Sequence, residues 1–246
     1  MSSFRLDNQR AIVTGAASGI GRAIATLFAE AGAHVIPVDL KPISNDPNSI
    51  ACDVSEEASV TAAFANIAAQ GPIDILVNSA GVSHIGTVFT TTPADFDRLY
   101  RINVRGTYLC MAAAAREMTQ RKSGIILNMA SIAATAGLAD RFAYSMTKGA
   151  VLSMTLSAAK DLLPYKIRVN CISPARVHTP FVDDYLSKNY PGREPEMFEK
   201  LSESQPIGRM GTPAEVAQMA LYLCSPAASF LTGADIPLDG GFQNLR

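Results

Sequence analysis

Short apolar runs alternate along this chain with longer segments of helical periodicity. Ala11–Thr14, His34–Val38, Ile50–Cys52, Ile75–Asn78, Gly124–Met129, Ile167–Ile172 and Asp235–Leu238 are brief and rich in Ile, Val and Leu. Runs of this kind read as buried strands. Between most of them lie about 12–25 residues rich in Ala, Leu and Met, with apolar positions returning at helical spacing. Strands that alternate with helices call for right-handed crossovers and a parallel sheet. The expectation is one α/β domain over residues 1–246, a doubly wound sheet of seven parallel strands with helices on both faces.

One stretch breaks the rhythm. Ser173–Gly211 carries Pro174, Pro180, Pro191, Pro195 and Pro206 among mixed charges, and reads as irregular. It follows a strand near the carboxyl edge of the sheet, where ligands bind in such folds. A long insertion there reads as a substrate lid over about 173–211.

Composition narrows the class. Hydrophobic residues make up 48% and charged residues 17% of the 246 positions, which excludes a disordered chain. A net charge of −1 gives no electrostatic case for a nucleic acid or an anionic membrane as partner. No apolar run reaches transmembrane length, and Met1-Ser-Ser-Phe-Arg-Leu-Asp7 lacks the form of a signal peptide, so a cytoplasmic protein is expected. Cys52, Cys110, Cys171 and Cys224 are far apart and form no C-x-x-C pair. They read as buried free thiols. His34, His84 and His178 show no metal-ligand spacing, so no metal is expected.

The first strand runs into Thr14-Gly-Ala-Ala-Ser18-Gly19-Ile20-Gly21, which opens a helix. Gly15 permits a tight turn, Gly19 close backbone approach, and Gly21 the packing of helix on strand. The unpaired N–H groups around Ser18, Gly19, Ile20 and Gly21 then face outward, a setting for a pyrophosphate and so for a dinucleotide. Asp39 ends the second strand 18 residues after Gly21. A carboxylate there can accept both hydroxyls of an adenosine ribose and would repel a 2′-phosphate, which favours NAD over NADP. Neither Ser18 nor Leu40 is basic, although Arg22 and Lys41 are close in sequence.

Tyr144 and Lys148 are spaced four apart and share one face of a helix. An ammonium at that distance favours the phenolate, the form that can act as a base. Ile125-Ile-Leu-Asn-Met-Ala-Ser131 reads as a buried strand ending in a hydroxyl at the carboxyl edge, 13 residues before Tyr144. Neither a histidine nor a G-x-S-x-G elbow accompanies it, so it does not read as a nucleophile.

The glycine loop, Asp39, Asn78-Ser-Ala-Gly81, Asn103, Ser131 and Tyr144-Ser-Met-Thr-Lys148 together resemble the short-chain dehydrogenase/reductase family, nearly end to end. The resemblance implies a Rossmann fold and hydride transfer between nicotinamide and a secondary alcohol or ketone. It implies that Tyr144 moves the proton, Ser131 binds the substrate oxygen, and Lys148 binds the nicotinamide ribose. Asn103 would hold a water near that lysine. Asp53 and Val54 would meet the adenine, and Asn78, Ala80 and Gly81 would line the cofactor. Pro174, Val177 and Thr179 would contact its nicotinamide end or the lid. Two departures stand out: Ser79 where the family usually has Asn, and Ala175 where it usually has Gly. Alanine disfavours positive φ, so the loop after the sixth strand is expected to differ locally.

Substrate signals are sparser. Arg141 lies three residues before Tyr144, and Arg176 follows the sixth strand. An arginine fork suits a carboxylate. Ser83, His84, His178 and Gln205 offer polar contacts. Arg141–Val151 and Pro174–Ala217 resemble a subgroup acting on hydroxybutyrate-like or sugar-derived hydroxy acids. The expected substrate is a small hydroxy acid or sugar-derived alcohol. The nearest alternative is an NADP-dependent 3-oxoacyl-thioester reductase, and a remote one is a dinucleotide-sensing protein without catalysis. The family resemblance also implies a homotetramer built on helices such as Tyr108–Met118 and Val151–Ala159, with Arg246 reaching a neighbouring subunit.

Overall fold

A computed structural model describes residues 4–245 of the chain, so the role suggested for Arg246 lies outside the described residues. The sheet contains β1 (Arg10–Thr14), β2 (His34–Asp39), β3 (Ile50–Ala51), β4 (Ile75–Asn78), β5 (Gly124–Met129), β6 (Ile167–Pro174) and β7 (Asp235–Leu238). All pairs are parallel, in the order β3-β2-β1-β4-β5-β6-β7. The helices are α1 (Gly19–Glu30), α2 (Glu57–Ala69), α3 (Pro93–Leu99), α4 (Thr107–Arg121), α5 (Phe142–Leu162), α6 (Pro180–Asn189), α7 (Glu194–Glu203) and α8 (Pro213–Cys224). This is the doubly wound Rossmann arrangement the alternation predicts.

Because side chains alternate along a strand, each strand feeds two cores. Ile12, Leu76 and Ile126 enter the layer built with Val60, Phe64 and Ile67 of α2 and with Cys110, Met111 and Met118 of α4. Their neighbours Val13, Val77 and Leu127 enter the opposite layer, with Ile24 and Phe28 of α1 and Val216 and Leu223 of α8. Each fully buried Ile, Leu or Phe contributes about 2 kcal/mol. Strands buried on both faces explain why the apolar runs are continuous rather than alternating. All four cysteines are buried free thiols: Cys52 and Cys110 in the first layer, Cys224 in the second, and Cys171 in a small cluster with Ala130 and Val151. Among the described residues, no helix is long and apolar enough to cross a membrane.

The chain leaves β1 toward β2 and β3, then returns across the sheet to β4. The carboxyl ends of β1 and β4 therefore flank the switch point, where a crevice opens.

The structure corrects the reading of Ser173–Gly211 as irregular. Two helices, α6 and α7, occupy most of it. Pro180 and Pro195 sit in the first turns of these helices, where a missing N–H leaves no bond unmade. Prolines that suggest breaks in sequence are here helix starts. Val182 and Leu186 of α6 pack with Met210 in a small separate core, against which Tyr185, Tyr190, Met197 and Phe198 lean. A second feature was not legible: Tyr100–Gly106, between α3 and α4, winds as a π-helix.

Candidate active site

The glycine loop takes the form its residues require. Gly15 and Gly19 have φ of 70° and 53°, in the left-handed region that side chains disfavour. A Cβ on Gly15 would come within 2.8 Å of the backbone N and Cα of Ala80, and one on Gly21 would collide with the carbonyl oxygen of Gly15. Thr14 locks the crossing: its buried hydroxyl accepts from the amides of Ser79 and Ala80, each at 3.1 Å. Ser18 sits at the N-cap of α1 without a side-chain cap, and Ile20 follows in the first turn, so the amides there remain open. This close backbone crossing at a helix N-terminus fits a pyrophosphate.

Asp39 stands at the tip of β2. Its Oδ2 accepts from Ala17 N at 2.9 Å and its Oδ1 from Leu40 N at 2.8 Å. These amides fix the carboxylate beside a cavity of about 550 Å³ lined by Ala17, Asp39, Leu40, Lys41 and Ser44. Each oxygen keeps acceptor capacity for a ribose hydroxyl. Asp53 turns one oxygen inward, where Oδ1 accepts from the amide and hydroxyl of Ser55 at 2.9 and 2.8 Å. Val54 is buried against Gly106. Asn78 points into the sheet and donates to Asn128 Oδ1 at 2.8 Å, while Asn128 donates to Thr155 Oγ1 at 2.9 Å. Asn78 thus ties β4 to β5, leaving Ala80 and Gly81 at the strand's open end.

The four catalytic candidates come from three places in the fold: the end of β5, α5 and the π-helix. Ser131, just past β5, is buried; its Oγ accepts from Ala133 N at 3.2 Å and donates weakly to Pro174 O at 3.4 Å. Tyr144 and Lys148 lie one turn apart on α5. Lys148 Nζ is 5.7 Å from the Tyr144 ring centroid and donates to Met129 O at 2.7 Å. The lysine is 8% exposed and forms no ion pair with a described carboxylate, so its charge acts on its immediate surroundings in a region of low dielectric.

Asn103 comes from the π-helix. Its side chain clamps Val82 by accepting from the amide and donating to the carbonyl, both at 2.8 Å, and its Nδ2 also donates to Thr147 Oγ1 at 3.1 Å. The Asn103 main-chain carbonyl accepts from Thr107 Oγ1 at 2.8 Å. π-Turns recur at functional sites because they re-aim backbone groups. A Cβ on Gly81 would lie 3.2 Å from Asn103 Oδ1 and 3.9 Å from Lys148 Nζ, so the three positions adjoin.

The loop after β6 carries Ala175 without strain. Ala175 does not have positive φ, and its amide donates to Leu238 O at 3.1 Å, continuing the pairing of β6 with β7. At this position, next to an extended ladder, alanine needs no positive φ. Val177 then pairs with Gly211, and Arg176 O accepts from Gly211 N at 2.9 Å. Thr179 stands at the N-cap position of α6, its Cγ2 3.6 Å from where a Gly19 Cβ would be, so the start of α6 lies against the glycine loop.

Of the substrate candidates, Arg141 is anchored: Nη1 donates to Ser83 Oγ and His84 O, both at 3.2 Å. Arg176 is half-buried, and its Nε is buried without a hydrogen-bond partner. Burial first, and then the neighbouring Arg141 guanidinium, disfavours its charge. Neither arginine pairs with a described carboxylate. His84 instead faces Asp95 at 3.8 Å through Nδ1, with Nε2 buried and unpartnered. His178 bonds Asp183 at 2.8 Å and meets the Phe198 ring edge-on, so it braces α6 against α7. Gln205 Oε1 accepts from Arg176 N at 3.5 Å, a long contact.

Sequence reasoning missed three supporting residues. Asn128 had a signal, as a polar residue inside an apolar strand. Thr147 had none beyond its place between Tyr144 and Lys148. Tyr185, whose hydroxyl lies 3.4 Å from that of Tyr190, lay in a segment read as irregular.

Residues 15–243 match the family described as Enoyl-(Acyl carrier protein) reductase. The chain is 35% identical over 98% of its length to the 2-keto-3-deoxy-L-fuconate dehydrogenase of Xanthomonas campestris pv. campestris, covering 82% of that protein. It is 39% identical over 97% of its length to the D-threitol dehydrogenase of Mycolicibacterium smegmatis, covering 94% of it. In structure it resembles the ligand-free aldohexose dehydrogenase of Thermoplasma acidophilum, with a TM-score of 0.91 and 32% identity, over 98% of this chain and 95% of that one. The chain belongs to the short-chain dehydrogenase/reductase family. It is an oxidoreductase acting on CH–OH donors with a nicotinamide cofactor.

Proposed function

We propose that the enzyme is an NAD-dependent dehydrogenase of a small, sugar-derived or short-chain hydroxy acid. The observation that carries the substrate class is the pair of half-buried arginines, Arg141 at the start of the helix that carries Tyr144 and Arg176 after β6, which act on each other electrostatically and are paired with no described carboxylate. Two neighbouring half-buried cations repel each other, and a carboxylate between them relieves that repulsion. Asp39 supports NAD, since an anionic 2′-phosphate would meet its carboxylate beside the cavity next to β2. The relatives named for a deoxy-sugar acid and for polyols fit the same class of reaction.

Bound NAD supplies the hydride acceptor. Ser131 holds the substrate hydroxyl oxygen by hydrogen bonding, and Tyr144 takes its proton. General-base catalysis of this kind is worth about 10²–10⁴-fold. Lys148 stabilises the tyrosinate and holds the ribose. Asn103 keeps a water near Lys148, through which the proton reaches solvent. The glycine loop, Asp39, Asp53, Val54, Ala80, Gly81, Pro174, Val177 and Thr179 hold the cofactor. Residues about 173–211 form the lid. We further infer a cytoplasmic homotetramer. Tyr108 on α4 and Leu156 on α5, 53% and 47% exposed, offer apolar contact for another subunit, and four buried unpaired thiols suit a reducing compartment.

A second reading, an NADP-dependent reductase of acyl thioesters, is favoured by the description of the matching family alone. The test is reduced-nicotinamide absorbance with NAD or NADP against hydroxy acids, polyols and 3-oxoacyl thioesters. Turnover of hydroxy acids with NAD is expected. Turnover confined to NADP and thioesters overturns the reading.

A further inference from the structure

Ser131 is aimed by a very short element. Its Oγ accepts from Ala133 N at 3.2 Å and its main-chain O from Ala134 N at 2.9 Å, so the residue caps a single turn of 3-10 helix, Ile132–Ala134. The turn closes with Thr135 N and Ala136 N donating to Ile132 O at 3.2 and 2.9 Å. One such turn has poor hydrogen-bond geometry and little stability of its own. Ile132 and Ala133 are buried and fix its near end, while Thr135 at its exit is exposed. Support for that exit must come from elsewhere in the chain.

It comes from the C-terminal turn. Gln243, 108 residues away, donates from Nε2 to Thr135 Oγ1 at 2.6 Å. Asp239, just past β7, fixes Gln243 in place: its Oδ1 accepts from Gly241 N at 3.0 Å and its Oδ2 from Gln243 N at 2.9 Å. The carboxylate thus grips the backbone of the residue whose side chain reaches Thr135. Phe242, 5% exposed, roots the turn in the protein. Leu238 O accepts from Ala175 N and Gly240 O from Ile207 N, both at 3.1 Å, so the same stretch is joined to the loop after β6 and to the segment after α7. Resting on the substrate-oxygen role given to Ser131 above, we propose that Gln243 is a positioning residue, which acts through Thr135 on the turn that aims the Ser131 hydroxyl. Gln243 touches no reacting atom. Its bond is exposed, so its effect falls on the aim of one hydroxyl rather than on the stability of the whole. A displacement of about 1 Å there costs up to about 10²-fold in rate. The glycine loop and Asp39 lie on β1, α1 and β2, away from this contact, so cofactor binding is not involved.

The test uses the full-length enzyme in two measurements. The first is amide hydrogen exchange at Ala133 and Ala134, which needs no substrate. Gln243→Met keeps the side chain's length and loses the donor; exchange at both amides speeds up, while the melting temperature moves by no more than about 4 °C. The second is kinetics on whichever of the hydroxy acids, polyols or 3-oxoacyl thioesters wild type turns over fastest. Gln243→Met and Thr135→Val, which keeps the shape and loses the acceptor, each lower kcat about 10-fold and leave the KM for the cofactor within about twofold. The double variant falls no further than either single one, because both remove the same bond. Gln243→Glu restores kcat to within about threefold of wild type, since the Thr135 hydroxyl then donates to its carboxylate. Unchanged exchange in Gln243→Met, wild-type kcat in it, or a double variant whose loss is the product of the single losses overturns the role of Gln243 and leaves that of Ser131 standing. Ser131→Ala with wild-type turnover overturns both, because Gln243 then has nothing to aim.

Discussion

Asn103 holds Val82 by both edges of its side-chain amide, accepting from the Val82 N–H and donating to its C=O, each at 2.8 Å. The side chain thereby acts as a strand partner for the segment that follows β4, and fixes Gly81 next to Lys148. Asn103→Ala leaves two part-buried backbone groups and Thr147 without these bonds. We predict a loss of about 2–3 kcal/mol in stability, together with a fall in kcat that exceeds any rise in the KM for the cofactor. Denaturant melts and steady-state kinetics check both; unchanged turnover would remove Asn103 from the catalytic group.

Tyr144→Phe removes the hydroxyl and keeps the ring beside Lys148. Turnover should fall by about 10²–10⁴-fold while NADH still binds. Retention of full turnover would show that another group moves the proton.

Asp39→Ala removes the carboxylate that two backbone amides orient at the tip of β2. The KM for NAD should rise by about 10-fold or more, and NADP should gain relative to it, since the charge that repels a 2′-phosphate is gone. Cofactor ratios measured with one substrate decide this. An unchanged ratio would mean that selection lies elsewhere, with Arg22 and Lys41 the first positions to examine.

Much of this was readable from the residues. Continuous apolar strands follow from a sheet covered on both faces, and Gly15, Gly19 and Gly21 each answer a contact or φ that a side chain would spoil. Tyr144 and Lys148 are close in sequence, so helical geometry alone brings them together. The remainder depends on contacts distant in sequence. Nothing local to Asn103 announces a π-helix or a bond to Val82. Arg141 and Arg176 become neighbours only once α5 and β6 pack. The prolines between 173 and 211 misled because the same residue ends one helix and begins another; at Pro180 and Pro195 it begins one.

The start of α8 predicts a pH response. Thr212 and Glu215 form a capping box, and Arg209 grips the Glu215 carboxylate with two N–H donors, at 3.0 and 2.6 Å. The Arg209 bonds, then the Thr212 amide, hold the Glu215 carboxyl down to about 2. A carboxyl depressed on folding stabilises the protein fully above its unfolded value, near 4.5, and that contribution is lost as pH falls toward about 2. Glu215→Gln should cost about 1 kcal/mol at neutral pH and flatten the stability decline between those values. A variant whose acid limb matches wild type would show that this site does not contribute to it.

Charge at the substrate site separates a hydroxy-acid dehydrogenase from a polyol dehydrogenase. The most direct measurement is kcat/KM with NAD for threonate against threitol, which share a four-carbon skeleton and differ by a terminal carboxylate. We expect threonate to be favoured by at least about 10-fold, with the preference lost in Arg176→Met. Threitol used as well as threonate, or better, would contradict the carboxylate site and make the enzyme a polyol dehydrogenase.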